Sequence, residues 1–127
     1  MAPVPVSVLV VDDQDLFRDV MRDVVHATPG MELAGEAASG EAAIDAVQEL
    51  SPQLVIMDKR MPGIGGIQAA RRIGASHPAV VVVLVSVEAP TPEALEESGG
   101  AAFLNKRELS PRALTALWQN HGAARQT

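Results

Sequence analysis

The chain has 127 residues, is 47% hydrophobic, contains no cysteine and carries a net charge of −6. This length and composition predict one globular domain over residues 1–127, with a core at about 5–121 and a polar tail at 122–127. The acidic balance and the lack of a basic run argue against direct binding to nucleic acid or to an anionic membrane surface. The lack of cysteine excludes disulfide bonds and thiolate metal sites.

The N-terminus shows no targeting or anchoring pattern. Residues 1–5 lack a basic stretch and lead straight into an apolar run, unlike a signal peptide. The most apolar run, Val80–Val85, is far too short to span a bilayer. We therefore expect a cytoplasmic protein that does not interact with membranes.

Apolar runs rich in β-branched residues alternate five times with amphipathic helical patterns. The predicted strands are Val6–Val11, Glu32–Ala37, Leu54–Asp58, Val80–Val85 and Ala101–Leu104. The predicted helices are Asp15–Ala27, one from the Ser39 cap to Ser51-Pro52, Ile67–Ala75, a short one opened by Thr91-Pro92-Glu93, and one capped by Ser110-Pro111. This alternation predicts an α/β fold of the flavodoxin-like type, a doubly wound five-stranded parallel sheet with helices on both faces.

The predicted elements differ in the apolar surface that they offer to a core. On the first two helices the expected buried residues are Phe17, Val20, Met21, Val24 and Thr28, then Ala43, Ile44, Val47 and Leu50. The fourth helix offers only Ala94 and Leu95 before Gly99, so we expect it to be short and weakly held. We expect Val80–Val85 to be the central strand and Glu32–Ala37 to be an edge strand.

Two of the apolar strands end on aspartate residues. Asp12 and Asp13 follow the first strand, and Asp58 closes the third before a Met-Pro-Gly turn. The carboxyl ends of neighbouring parallel strands meet at the edge of the sheet where such folds bind ligands. Three carboxylates at that edge need a cation, and without one their mutual repulsion should leave a proton on one of them.

Other residues near strand ends complete a wider pattern. Ser86 follows the fourth strand, Phe103 lies within the fifth, and Lys106 comes just after it. Together with the three aspartates, this set resembles the receiver domain of two-component response regulators, which has a CheY-like fold, over essentially the whole chain. The resemblance implies a phosphoacceptor signalling domain rather than an enzyme, whose partner is a sensor histidine kinase or a phosphotransfer protein.

The resemblance also implies a role for each of these side chains. Asp58 accepts the phosphoryl group, while Lys106 and the Ser86 hydroxyl contact its oxygens. Ser86 and Phe103 act as a switch that changes the face formed by the fourth helix, the fifth strand and the fifth helix. The chemistry agrees, because a carboxylate and a phosphoryl group are both anionic and react only when charge is neutralised and the groups are held in line.

Mg²⁺ is the expected cofactor, since hard divalent cations prefer oxygen ligands. We expect Asp13 and Asp58 to be direct ligands and Asp12 to act mostly through bound water. The resemblance implies that the backbone carbonyl of Arg60 completes the protein's share of the ligands.

Each residue also has a plainer interpretation. An aspartate at a strand end often caps a helix, and a lone lysine, serine or phenylalanine is usually a surface, turn or core residue, respectively.

The chain also departs from the family pattern. Val87 stands where a small residue is common and should narrow access to Asp58, and Arg107 stands where proline is frequent after the lysine. Arg60 and Glu88 flank the site with opposite charges that are able to pair across it.

Two other functions fit parts of the sequence. A phosphatase of the haloacid-dehalogenase type would use Asp13 and Asp15 after the first strand, although Phe17 stands where that class has Thr or Val. A receiver-like module that signals without phosphorylation is the other alternative. The segment Gly63-Ile64-Gly65-Gly66 lacks the spacing of a dinucleotide-binding fingerprint, and we interpret it as a turn.

The output of the domain stays open. Two stretches resemble receivers that precede a helix-turn-helix transcriptional domain: Asp15-Leu16-Phe17-Arg18, and the run from Asp58-Lys59-Arg60-Met61-Pro62-Gly63 through Ala69-Ala70-Arg71-Arg72-Ile73. The sequence is compatible with a single-domain regulator or with the receiver of a DNA-binding regulator, and with a monomer or a homodimer.

Overall fold

Five parallel strands form one sheet in the computed structural model, which describes residues 4–122. The strands are β1 (Val6–Val11), β2 (Met31–Ala37), β3 (Leu54–Asp58), β4 (Val81–Ser86) and β5 (Ala102–Asn105). Their order across the sheet is β2-β1-β3-β4-β5, and every neighbouring pair is parallel. The predicted fold class is therefore confirmed, and each strand begins within one residue of its predicted start.

Alternate residues of the strands face two separate cores. Leu9, Val11, Val55 and Met57 pack with α2 (Gly40–Leu50) and α3 (Gly65–Ser76) on one face of the sheet. Val8, Val10, Leu54 and Ile56 pack with α1 (Asp15–Ala27) and α5 (Pro111–Leu117) on the other. Burial on both faces explains the continuous apolar runs. β2 is an edge strand as expected, but β3 rather than β4 is the central strand, with β4 lying between β3 and β5.

Three of the helices begin at the predicted caps. The hydroxyl oxygens of Ser39, Thr91 and Ser110 accept hydrogen bonds from backbone N–H groups three residues later, at 3.0 to 3.1 Å. The cap of Thr91 opens α4 (Pro92–Glu97), in which only Ala94 is buried. α4 is thus as short and weakly packed as expected.

Two predicted core positions are wrong. Val20 is 45% exposed and Leu50 is 43% exposed, whereas Val25, which is not among the predicted core residues, is fully buried, as is Met21. The face of α1 that meets the sheet is narrower than the apolar stripe, and Val20 lies outside it. Leu50 lies at the end of α2 over Gly35 of the edge strand, where one side of its side chain remains in contact with solvent.

The turn between β3 and α3 depends on glycine. Gly63 and Gly65 have positive φ angles of 84° and 77°, which confirms the predicted turn. A Cβ atom on Gly66 would overlap the backbone of Asp58, and the Gly66 N–H donates a hydrogen bond to the Lys59 carbonyl at 3.0 Å. α3 therefore begins two residues earlier than predicted and packs directly against the end of β3.

Short helical turns flank α5 in the last part of the described chain. A 3₁₀ turn covers Lys106–Glu108, and a π turn covers Trp118–Gly122 after α5. The predicted polar tail lies outside the described residues apart from Gly122. Among residues 4–122, no helix combines the length and apolar character that a membrane span requires.

Candidate functional site

The three predicted aspartates meet at the carboxyl edge of the sheet. Each of Asp12, Asp13 and Asp58 offers a carboxylate oxygen that lies within 4.8 Å of the other two. The cause is the sheet register: β1 and β3 are neighbours, and Val11 lies opposite Met57, so the next residues, Asp12 and Asp58, lie side by side. Asp12 is fully buried, Asp58 is nearly so and Asp13 is exposed, which leaves one open side to the cluster.

Asp12 carries the strongest sign of an incomplete environment. Its Oδ1 accepts a hydrogen bond from the Gln14 N–H at 2.8 Å, but its buried Oδ2 has no hydrogen-bond partner in the structure. Burial raises the pKa of Asp12 above its ordinary value, and the charges of Asp58 and Asp13 add to this effect. The expected direction is correct, but burial contributes more than the repulsion among the carboxylates.

These residues fit a small divalent cation. A buried carboxylate oxygen that accepts no hydrogen bond, next to two further carboxylates, forms the hard oxygen donor set that Mg²⁺ prefers. The backbone at Arg60 is also turned toward the cluster, because its N–H donates to Asp58 Oδ1 at 3.3 Å. The direct ligands Asp13 and Asp58, the water-mediated role of Asp12 and the Arg60 carbonyl remain predictions.

Lys106 reaches the cluster from the far side of the sheet. Its Nζ lies 3.4 Å from Asp58 Oδ2 and 3.7 Å from Asp12 Oδ2, although the side chain starts at the end of β5. The same Nζ lies 4.2 Å from the centre of the Phe17 ring on α1. Lys106 therefore forms ionic contacts with two of the carboxylates and rests on an aromatic face.

Ser86 and Phe103 lie together beside the cluster. Ser86 ends β4 in a buried position, and its Oγ accepts a hydrogen bond from the Glu88 N–H at 3.1 Å. Phe103 is half-buried on β5, and both residues line a cavity of about 240 Å³. Ser86 therefore acts as a turn hydroxyl and Phe103 as a packed aromatic residue, which are their plainer interpretations. The open space between them leaves room for movement.

The rim of the site carries the expected ion pair. Arg60 Nη2 and Glu88 Oε1 lie 2.6 Å apart, and both side chains are largely exposed. Val87, beside this pair, is 66% exposed. Its predicted effect on access to Asp58 stays a prediction, as do the functional roles of Ser86, Phe103 and Lys106.

Arg18 is a contact of the site that the sequence did not reveal. Its Nη1 donates to the backbone carbonyl of Asp12 at 2.8 Å, while its other nitrogens pair with Asp15 at 2.6 Å and with Glu36 at 3.2 Å. Its guanidinium thus joins the end of β1 to α1 and β2. Only the pair with Asp15, three residues earlier on the helix, was visible as a sequence pattern.

Comparison with known proteins identifies the same fold and pattern. The family model described as the response regulator receiver domain matches residues 8–118. Response regulator GacA of Pseudomonas viridiflava is 42% identical over 103 residues, which are 80% of this chain and 48% of that protein. Response regulator UvrY of Escherichia coli K12 is 33% identical over 114 residues, which are 88% of this chain and 52% of that protein. This chain therefore spans about half the length of these relatives.

Solved structures agree with this assignment. The response regulator domain of Thermotoga maritima CheB is 30% identical with a TM-score of 0.79, covering 91% of this chain and 95% of that one. A LuxR family two-component response regulator from Aurantimonas sp. is 26% identical with a TM-score of 0.82, covering 94% and 86%. The chain therefore belongs to the response regulator receiver domain family, whose members are phosphoacceptor signalling modules of phosphorelays rather than enzymes.

Proposed function

We propose that Asp58 accepts a phosphoryl group from the phosphohistidine of a sensor histidine kinase or of a phosphotransfer protein. The observation that carries this proposal is the position of Asp58 Oδ2. It lies 3.4 Å from the Lys106 ammonium, while Oδ1 is occupied by the Arg60 N–H. Asp58 is the carboxylate that combines a neighbouring cation with a place at the edge of the buried cluster.

In the transfer, Asp58 Oδ2 forms a bond to phosphorus as the bond from phosphorus to the donor's imidazole nitrogen breaks, and the imidazole leaves with the electron pair. Lys106 exchanges its carboxylate partners for a phosphoryl oxygen, and the Ser86 hydroxyl donates to another. Asp12, Asp13, Asp58 and the Arg60 carbonyl are the proposed holders of Mg²⁺. When bound, Mg²⁺ would supply the neutralisation of charge that lets two anionic groups approach.

The proposed output is a change in the face formed by α4, β5 and α5. A phosphoryl group adds about two negative charges at the sheet edge. Ser86 moves toward it and gives up its turn contact with Glu88, and Phe103 enters the vacated space. The cavity of about 240 Å³ that both side chains line supports this step, because it provides space beside them.

We further propose that this receiver regulates a helix-turn-helix output domain in a longer transcriptional regulator of the cytoplasm, and that phosphorylation favours a homodimer. The length of the relatives supports the proposal of an output domain, because GacA and UvrY are about twice as long as the region that this chain matches. The similar LuxR family protein is consistent with it. Sequencing the reading frame past Thr127 tests the output, since an immediate stop codon would leave a single-domain regulator.

The phosphoacceptor role is tested by mapping the adduct. The protein is incubated with Mg²⁺ and a phosphorylated histidine phosphotransfer domain, trapped with borohydride, digested and sequenced by mass spectrometry. We expect reduction at Asp58, its loss in Asp58→Asn and its retention in Asp45→Asn, which removes an exposed aspartate on α2. A label on Asp13 that survives in Asp58→Asn would instead identify the phosphatase alternative, and no label at any aspartate would favour a module that signals without phosphorylation.

A further inference from the structure

The aromatic ring beneath Lys106 has no role in the function proposed so far. Phe17 lies in the first turns of α1, half-buried, with one part of its ring packed against the core formed by α1 and α5. The Lys106 ammonium lies 4.2 Å from the ring centre. Within residues 4–122 this is the only contact of a cation with an aromatic face. Lys106, at the end of β5, therefore contacts both Phe17 on α1 and the acidic cluster.

The carboxylates alone do not fix the position of this ammonium. Its distances to Asp58 and Asp12, 3.4 and 3.7 Å, exceed the roughly 2.8 Å typical of a charge-assisted hydrogen bond. A lysine side chain is also flexible, and its three donors rotate freely. An aromatic face adds a directional attraction through its quadrupole without accepting a proton or competing for a single N–H direction.

The ring differs from the carboxylates in what happens when the phosphoryl group arrives. Asp58 then becomes the acyl phosphate, and Lys106 has to turn from carboxylate oxygens to a phosphoryl oxygen. The ring contact does not involve an oxygen of Asp58, so the reaction does not itself remove it. A partner that persists through the reaction reduces the freedom that Lys106 loses as it takes up the phosphoryl oxygen.

We infer that Phe17 is a positioning residue for the phosphotransfer: its ring face holds the Lys106 ammonium where the ammonium meets the phosphoryl group on Asp58. The inference rests on the proposed phosphoacceptor function and deepens it. It also gives a reason for an aromatic residue at a position of α1 that is only half-buried.

A simple truncation would not separate this role from packing, so the test uses fluorinated phenylalanine at position 17. One, two and three ring fluorines weaken the negative face stepwise while the shape of the side chain hardly changes. We expect the rate of Asp58 phosphorylation by phosphoramidate, at saturating Mg²⁺, to fall with each fluorine, reaching a loss of about tenfold, equivalent to about 1.4 kcal/mol. Phe17→Tyr should keep a near-normal rate, and Phe17→Leu should resemble the trifluorinated protein.

Two readouts do not depend on phosphorylation or on metal. In the metal-free protein the Lys106 methylene protons next to Nζ should be shifted upfield by the ring current, and Phe17→Leu should remove that shift while Phe17→Tyr keeps it. Fluorination should also lower the thermal midpoint of the metal-free protein only while Lys106 is present, so the effect should vanish in Lys106→Met. This second comparison removes any effect of fluorine on packing.

The outcomes separate this inference from the function on which it rests. If unmodified protein is phosphorylated on Asp58 and the rate is the same for every fluorinated form, the positioning role is wrong and the phosphoacceptor function stands. If fluorination lowers stability equally with and without Lys106, the ring acts through packing and the inference also fails. If the unmodified protein takes no label, the proposed function fails, while the metal-free measurements still decide whether the contact exists.

Discussion

Two parts of the carboxyl edge of the sheet are packed very differently. We call the ends of β1 and β3, with Asp12, Asp13 and Asp58, the acceptor side. The end of β4 with α4 and β5 forms the responder side. On the acceptor side all five residues of β3 are buried, whereas on the responder side all four residues of β5 are only half-buried. In α4 a single residue, Ala94, is buried.

This difference suits the two sides to the separate tasks proposed for them. Phosphotransfer requires that the reacting groups be held in place, which buried strands achieve. Signalling requires a segment whose alternative packing costs little free energy, and such segments have few buried apolar contacts. α4 ends at Glu97, and the turn that leads to β5 contains Gly99 and Gly100, whose positive φ angles of 71° and 99° favour glycine.

The largest expected effect is on the acceptor side. Asp13→Asn should slow phosphorylation of Asp58 by about 100-fold or more, because it removes a charge from the carboxylates proposed to hold the cation. Asp23→Asn, which neutralises an exposed carboxylate of α1, should leave the rate unchanged. The measurement is the initial rate with a small phosphoryl donor at fixed Mg²⁺. Equal rates for Asp13→Asn and the unaltered protein would remove Asp13 from the site.

The next effect concerns the support of the acceptor side. Arg18→Ala removes the hydrogen bond to the Asp12 carbonyl and should destabilise the fold by about 2 kcal/mol. Phosphorylation should also slow by about tenfold, because small displacements of reacting groups are costly. Arg22→Ala is the matched control, since Arg22 shares the partner Glu36 but does not contact the end of β1. The measurements are denaturant unfolding and the phosphorylation rate of both variants. A larger effect of Arg22→Ala on the rate would contradict a supporting role of Arg18 at the site.

A smaller effect tests the cost of burying the charged form of Asp12 on the acceptor side. Burial raises the pKa of Asp12, so the fold favours its protonated form, and this stabilising contribution is lost as the pH rises above the ordinary value of 3.8 and through the higher value in the folded protein. Asp12→Asn should therefore raise the thermal midpoint of the metal-free protein at neutral pH and lose this advantage near pH 4. The control is Asp45→Asn on α2. A lower midpoint at neutral pH would show that the contact with Lys106 outweighs the cost of burial.

The smallest effect is expected at the rim that joins the two sides. Arg60 and Glu88 pair at 2.6 Å, but both are exposed, so the pair should contribute less than about 1 kcal/mol to stability and weaken with salt. Denaturant unfolding of Arg60→Ala, Glu88→Ala and the double variant measures the interaction directly. A coupling that is large and independent of salt would mean that the rim holds the two sides together more firmly than this account states.

The structure of the acceptor side was largely predictable from the sequence. The strands of the acceptor side were located correctly, because burial on both faces writes a continuous apolar run into the sequence. The aspartates at their ends followed from the geometry of parallel sheets. The exposure of Val20 was missed, because periodicity identifies an apolar stripe but does not show how much of it the sheet covers.

The contacts that support the site could not be predicted from the sequence for a different reason. The hydrogen bond from Arg18 to Asp12 and the contact of Phe17 with Lys106 join residues whose separation along the chain bears no relation to any helical or strand period. The close approach of Gly66 to Asp58 likewise depends on how tightly α3 meets β3. Glycine residues in the turn were visible, but the backbone that excludes a side chain at Gly66 was not.

Hydrogen exchange of the phosphorylated and unphosphorylated protein tests the division into acceptor and responder sides most directly. With phosphorylation of Asp58 verified by mass spectrometry, we expect altered protection between Thr91 and Leu104 and nearly unchanged protection in α2. Ser86→Ala should still be phosphorylated but show a smaller change between Thr91 and Leu104, whereas Ser76→Ala, at the exposed end of α3, should behave like the unaltered protein. Identical exchange in both regions of a fully phosphorylated sample would contradict the account, because the phosphoryl group would then be held without any change on the responder side.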